Sequence, residues 1–258
     1  MKTKVIAIAN QKGGVGKTTS AVTLGYGLSS KGLHTLIVDT DPQGHIAYSF
    51  GLEKTPGLYR LIVEEEPLSN IVVQARTNLD IVPGDKRSEK VKRYVAGLDY
   101  REAVLSDVLV DTSYDVILID TAPSLDVLHV AALVTADWVL IPTKLDAMAV
   151  DGVNEILKSY AEVMQHGGHI QGYTILPTFF ERVTRETVLQ LRELVSAFGS
   201  HVWPPIPADT KAREAVACGQ TLWEYAPNTP AIVGSPDKYK LIGGYAQALE
   251  RLVRVIHA

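Results

Sequence analysis

Lys12-Gly13-Gly14-Val15-Gly16-Lys17-Thr18 packs three glycines, two lysines and a hydroxyl into seven residues, a set suited to gripping phosphate. The glycines let the backbone curl until successive N–H groups point at anionic oxygens, and a helix starting at the end of the loop adds the positive end of its dipole. Lys17 reaches the outer phosphates as a point charge. The Thr18 hydroxyl, with Thr19 beside it, is placed to ligate the Mg2+ that accompanies a nucleotide. A nucleoside triphosphate is the ligand this chemistry selects. The usual phosphate-loop pattern starts with a glycine where this chain has Gln11, so the flanking elements decide. An apolar run of strand length at 5–9 precedes the loop, and a helix-compatible stretch at 18–31, stopped by Gly32, follows it.

Two further apolar runs end in aspartate: Leu36-Ile37-Val38-Asp39, continued by Thr40-Asp41-Pro42-Gln43-Gly44, and Val116-Ile117-Leu118-Ile119-Asp120, continued by Thr121-Ala122-Pro123-Ser124. An open parallel sheet binds its ligand outside the carboxyl ends of its strands, so three carboxylates converge near the phosphates. Facing a polyanion they need a cation or water between, which assigns Asp39 and Asp120 to the Mg2+ shell through waters and leaves Asp41 for another task.

The framework that positions these residues reads as alternating strands and helices, the pattern of a parallel sheet covered on both faces. Strands are predicted at 5–9, 35–39, 80–82, 116–120, 138–142 and 172–176, and helices at 18–31, 101–110, 127–135, 150–164, 185–198, 211–217 and 240–256. Residues 53–70 look irregular. The fold class is therefore α/β, a doubly wound, mostly parallel sheet, and the chain is expected to form one P-loop ATPase domain over 1–258.

With Lys12 at its front edge, the loop resembles the deviant Walker A loop of the ParA/MinD family of ATPases. The resemblance implies that Lys12 contacts the nucleotide of a second subunit, so that two chains sandwich two ATP molecules and form a homodimer only when ATP is bound. Residues 39–44 resemble the family's switch I, Asp-x-Asp-Pro-Gln-Gly, and residues 119–124 its Walker B strand running into switch II. By that likeness Lys12, Lys17 and Asp41 are catalytic, Asp41 by orienting the attacking water, and the turn around Pro123 senses the γ-phosphate. His45 stands where the family more often has asparagine.

Two later blocks, 177–185 and 206–215, resemble those of ParA partition proteins and extend the likeness over nearly the whole chain. They imply that Pro207 walls the adenine and that Arg182, Arg185, Lys211 and Arg213 bind DNA non-specifically once the dimer has formed. The usual arginine of the first block aligns with Val183, and Ala208 and Asp209 replace the commoner arginine after the proline. A ParB-like adaptor that stimulates hydrolysis is a further implication. With the loop beginning at residue 12, no amino-terminal helix-turn-helix is expected.

Composition sets the outer limits. The only cysteine, Cys218, excludes a disulfide framework and also the cluster-binding relatives of this loop, which need at least two cysteines per chain. No apolar leader precedes the first strand, so a cytoplasmic protein, nucleoid-associated when ATP-bound, is expected. A net charge of -4 argues against a uniformly basic surface, yet five cations lie among residues 86–94, which reads as a phosphate-binding patch or a plain solvated helix.

The competing class is a MinD-like membrane-associated ATPase, which attaches through an amphipathic last helix. Tyr245, Leu249, Leu252, Val253 and Ile256 follow helical spacing and fit a core-facing helix or a weak membrane binder. Only Arg251 and Arg254 mark the polar side, and no tryptophan or phenylalanine anchors the stripe, which favours the core. His166-Gly167-Gly168-His169 reads as a solvated turn, not a metal pair.

Overall fold

Val116–Asp120 is buried at every position, as a strand must be when helices cover both faces of its sheet. The computed structural model describes residues 2–110, 112–181, 183–237 and 240–258. In chain order the elements are β1 (Lys4–Ile8), α1 (Lys17–Ser30), β2 (Thr35–Asp39), α2 (His45–Ser49), α3 (Gly57–Ile62), β3 (Val73–Arg76), β4 (Leu79–Val82), α4 (Ser88–Ala96), α5 (Val104–Leu109), β5 (Val116–Asp120) and α6 (Val127–Thr135). They continue with β6 (Trp138–Lys144), α7 (Ala149–Gln165), β7 (Gly172–Thr178), α8 (Arg185–Phe198), α9 (Lys211–Ala217), α10 (Leu222–Tyr225), α11 (Pro230–Val233), β8 (Ser235–Asp237), β9 (Lys240–Ile242) and α12 (Gly244–Ile256).

Seven strands form one sheet in the order β3-β4-β2-β5-β1-β6-β7, all parallel except the edge strand β3. β1 lies between β5 and β6, where the strand order reverses, so the loop it feeds opens at the point where such sheets bind ligands. Helices α3 to α8 pack on one face and α1, α2 and α9 to α12 on the other, each closing an apolar core of its own. α1 comes close to the sheet because a Cβ on Gly25 would lie 2.7 Å from Ile37 Cδ1.

The structure corrects the sequence reading in three places. The irregular stretch 53–70 contains α3, which inserts Leu58, Leu61 and Ile62 into the core. Edge strand β3 has only Ala75 buried, too little alternation to be read as a strand. The predicted helix 240–256 begins instead as the β8–β9 hairpin, because Gly243 and Gly244 take φ of 81° and 76° and the helix starts only after that turn.

α12 buries Tyr245, Leu249, Leu252 and Ile256, with Tyr245 Oη 3.0 Å from Ser20 Oγ on α1. Gly27 makes the approach possible, since a Cβ there would meet Leu249 Cδ2 at 2.7 Å. The apolar stripe of the last helix therefore has its partner within the fold. Among the described residues no helix is long and apolar enough to cross a membrane.

Candidate nucleotide site

The loop after β1 is held from beneath by Asn10. Its side chain donates to the Pro142 carbonyl at 2.8 Å and accepts from Lys12 N–H at 2.9 Å. Gly14 and Gly16 have φ of 69° and 91°, values that a residue with a Cβ rarely tolerates. No side chain caps α1 and no acidic residue lies in its first turn, so the positive helix end is left for a ligand.

Lys17 is buried and donates to the carbonyls of Asn10 at 2.8 Å and Lys12 at 3.0 Å. Burial lowers its pKa, and the charges of Asp120 and Asp41 act against that shift. The Lys12 side chain does not enter the cradle of its own chain. Its ammonium lies 3.4 Å from Asp146 Oδ1 and 2.5 Å from the Met148 carbonyl, in the loop between β6 and α7.

Asp39 and Asp120 are neighbours in register on β2 and β5. Asp120 Oδ2 accepts from the Thr18 hydroxyl at 2.7 Å, whereas Oδ1 is buried with no hydrogen-bond partner. Burial pushes the Asp120 carboxyl up to about 7, against the pull of Thr18 and Lys17. An orphaned carboxylate oxygen beside a threonine hydroxyl fits a hard divalent cation that takes its remaining ligands from water and phosphate. Among the described residues no group of three histidine, cysteine or acidic side chains forms a metal cage.

Asp39, the other carboxylate expected in the Mg2+ shell, is bonded to backbone. Its two oxygens accept from Asp41 N–H at 3.0 Å and Ile46 N–H at 3.1 Å, so it holds the switch I loop and caps the turn into α2. Burial, then the charge of Asp120, raises its pKa well above the carboxylate range. Asp41 is half-buried, and its Oδ1 accepts from Gln43 N–H at 2.8 Å. His45 is exposed at the start of α2.

Four residues to which the sequence reading gave no role lie around the site. Thr178 donates to the Val15 carbonyl at 2.9 Å, and Phe179, 44% exposed with φ 55°, lies over Gly16. Phe180 bridges to Pro207, which is buried behind this wall. Asp126 receives Leu128 N–H, His129 N–H and the Ser124 hydroxyl, fixing the turn from switch II into α6. A strained exposed aromatic cannot be read from sequence, because its φ is imposed by the crossing chain at 206–208.

Three of the residues implied for DNA binding are described, Arg185 on α8 and Lys211 and Arg213 on α9. Arg185 and Arg213 are exposed, but α8 and α9 cover opposite faces of the sheet, although both start beside the Phe180–Pro207 bridge. Lys211 pairs with Glu214 at 2.8 Å and stands over the Tyr225 ring. Arg182 lies outside the described residues. His169 Nε2 is 4.0 Å from Asp137 Oδ1.

A family model described as an AAA domain matches residues 3–170. The chain is 33% identical to the chromosome-partitioning ATPase Soj of Thermus thermophilus over 231 residues, covering 89% of this chain and 91% of that protein. A putative plasmid partition protein of Borrelia burgdorferi B31, solved with AMPPNP, superposes with a TM-score of 0.76 at 25% identity, covering 87% of this chain and 96% of the other. A Mycobacterium smegmatis cobyrinic acid a,c-diamide synthase structure with bound ATP analog and magnesium gives 0.75 at 28% identity, covering 88% and 96%. Phosphate loop, paired aspartates, sheet order and likeness over most of the length agree, and the chain belongs to the ParA/MinD family as a Soj-like, ParA-type ATPase.

Proposed function

We propose that this chain is an Mg2+-dependent partition ATPase that works as one domain over its 258 residues. ATP joins two copies into a sandwich, the dimer binds DNA without regard to sequence, and hydrolysis releases it. The triphosphate lies along the N–H groups of residues 13–18, with Lys17 on its outer oxygens and the adenine beside Phe179 and Pro207. Thr18 and Asp120 would hold the cation, which would supply neutralisation of phosphate charge. Asp39 keeps switch I in shape, and Asp41 orients and polarises the attacking water through the oxygen that Gln43 leaves free.

The observation that carries the dimer reading is the position of Lys12. Its ammonium is outside its own cradle, tethered by one carboxylate and one carbonyl on the loop before α7. A partner's triphosphate offers a stronger, charge-assisted set of acceptors, so pairing draws Lys12 off that tether. A ParB-like adaptor accelerates hydrolysis and thereby recycles the dimer during positioning of plasmid, chromosome or other cargo, in the cytoplasm and on the nucleoid. The MinD-like alternative needs a free apolar face on the last helix, and α1 occupies that face.

Light scattering and DNA retention of the Asp41→Ala variant test the reading. With ATP and Mg2+ it is expected to remain a dimer on DNA while phosphate release drops by at least about a hundredfold, the scale of losing a positioned reaction partner. Normal hydrolysis by that variant, or a monomer under the same conditions, refutes it.

A further inference from the structure

α4 and the loop before it connect switch I to the turn that follows switch II, while exposed cations face outward. The loop that leads into it, Pro83-Gly84-Asp85, runs beneath switch I: a Cβ on Gly84 would lie 2.8 Å from the Asp39 carbonyl oxygen and 2.9 Å from that of Asp41. The middle of the helix reaches the turn that follows switch II, where Lys92 Nζ lies 2.9 Å from Asp126 Oδ2, and Lys92 is also 3.0 Å from Glu89 Oε1. Asp126 also holds the first turn of α6, so this ion pair is wired to the segment that follows Asp120. The Lys92 and Asp126 side chains are only 15% and 21% exposed, which protects the pair from the screening that weakens surface salt bridges. Burial acts to lower the Lys92 pKa, but the bonds to Asp126 and Glu89 outweigh it, and the ammonium stays above its ordinary value.

The outer side differs. Lys90 and Arg93 lie about one turn apart on α4 and Lys86 in the turn that leads into it; all three are exposed and have no carboxylate partner among the described residues. Glu89 is turned to Lys92, and Arg87 lies over the Tyr59 ring. Like charges at this spacing repel, and a polyphosphate laid along them removes that cost. Val91 and Val95, both fully buried, make the helix move as a unit with the core beneath it.

We propose that α4 is a docking helix for the phosphate backbone of duplex DNA, and that docking is transmitted to both switch loops through Gly84 and the Lys92–Asp126 pair. The inference rests on the DNA-binding reading above and adds to it a contact face and a regulatory output. Phosphates along Lys86, Lys90 and Arg93 hold α4 against the body. Lys92 then stays on Asp126, and the first turn of α6 is kept where hydrolysis requires it. Lys92 is a positioning residue and Asp126 its relay.

The test uses the full chain with ATP and Mg2+, a random-sequence duplex as probe, and two readouts, duplex retention and phosphate release. In the unmodified protein the duplex raises release on the order of fivefold, within the ordinary range of coupling between sites. The triple variant Lys86→Gln, Lys90→Gln, Arg93→Gln loses both that rise and most duplex retention, and its log–log salt slope becomes shallower by about three for each protomer in contact with the duplex. Lys92→Gln keeps retention but loses the rise, and Lys92→Arg restores it, a separation that simple destabilisation does not produce. Retention by the triple variant with an unchanged salt slope overturns the docking face, and a full rise in Lys92→Gln overturns the transmission. Failure of the unmodified ATP-bound protein to retain duplex overturns the DNA reading itself and this inference with it. Retention by the unmodified protein and the triple variant alike overturns the inference alone.

Discussion

Replacing His129 by leucine makes the protein more stable, and more so in acid. His129 lies on the first turn of α6, 1% exposed, with neither ring nitrogen hydrogen-bonded. Burial, reinforced by the charge of Lys17, holds its pKa down to about 4 from an ordinary 6.5, although Asp126 pulls the other way. An unsatisfied buried polar group costs about 1–3 kcal/mol, so His129→Leu is expected to gain on that order at pH 7. Between pH 6.5 and 4 the unfolded chain binds a proton that the folded chain refuses. Stability from this group is therefore complete above about 6.5 and falls as pH drops, by about 1.4 kcal/mol per unit. At pH 5 the loss is about 2 kcal/mol, and leucine escapes it. Urea unfolding of both proteins at pH 7 and pH 5, without nucleotide, measures the effect. The raised pKa values of Asp39 and Asp120 drive stability in the opposite direction, but they are common to both proteins and cancel in the difference. Equal losses for the two proteins between pH 7 and pH 5, or a variant less stable at pH 7, would show that the imidazole is neither neutral nor unpartnered in solution.

Lys17→Ala removes the only buried cation of the cradle and is expected to weaken ATP binding at least about a hundredfold, measured by calorimetry, with little change in the melting temperature of the nucleotide-free protein. Gly44→Ala puts a Cβ at φ 59° into the Gly84 carbonyl and should cost about 1–3 kcal/mol in urea unfolding while disordering switch I. Leu252→Ala empties a fully buried site beneath α12 and should cost about 2–5 kcal/mol by the same measurement. A loss below about 0.5 kcal/mol there would mean that the last helix is not docked on the core.

The motifs were legible because phosphate chemistry restricts residue type locally. Glycine at 14 and 16 answers a backbone need that lies within the loop, and the aspartates at 39 and 120 terminate apolar runs whose burial leaves them one place to go. Helices 127–135, 185–198 and 211–217 and strands 35–39 and 116–120 agree with the sequence reading at both ends, since periodicity and flanking turn residues mark them strongly. Misreadings fell where the pattern was short or two-faced. β3 has too few buried positions to alternate, and the hairpin before α12 looks helical until Gly243 and Gly244 break it. In the cation cluster at 86–94, type alone did not separate Lys92, half-buried on Asp126, from Lys86, Lys90 and Arg93 facing water.

Local chemistry thus determined the ligand class, the loop that grips it and the strand ends that face it, because each depends on neighbours a few residues away along the chain. The tertiary structure decided the partners. Asp39 turned to the backbone of its own switch while Asp120 kept a bare oxygen beside Thr18. Lys12 was tied to the loop before α7, and Phe179 was set over Gly16 by a segment far along the chain. Side-chain partners depend on distances across the sheet, and linear spacing does not contain those distances.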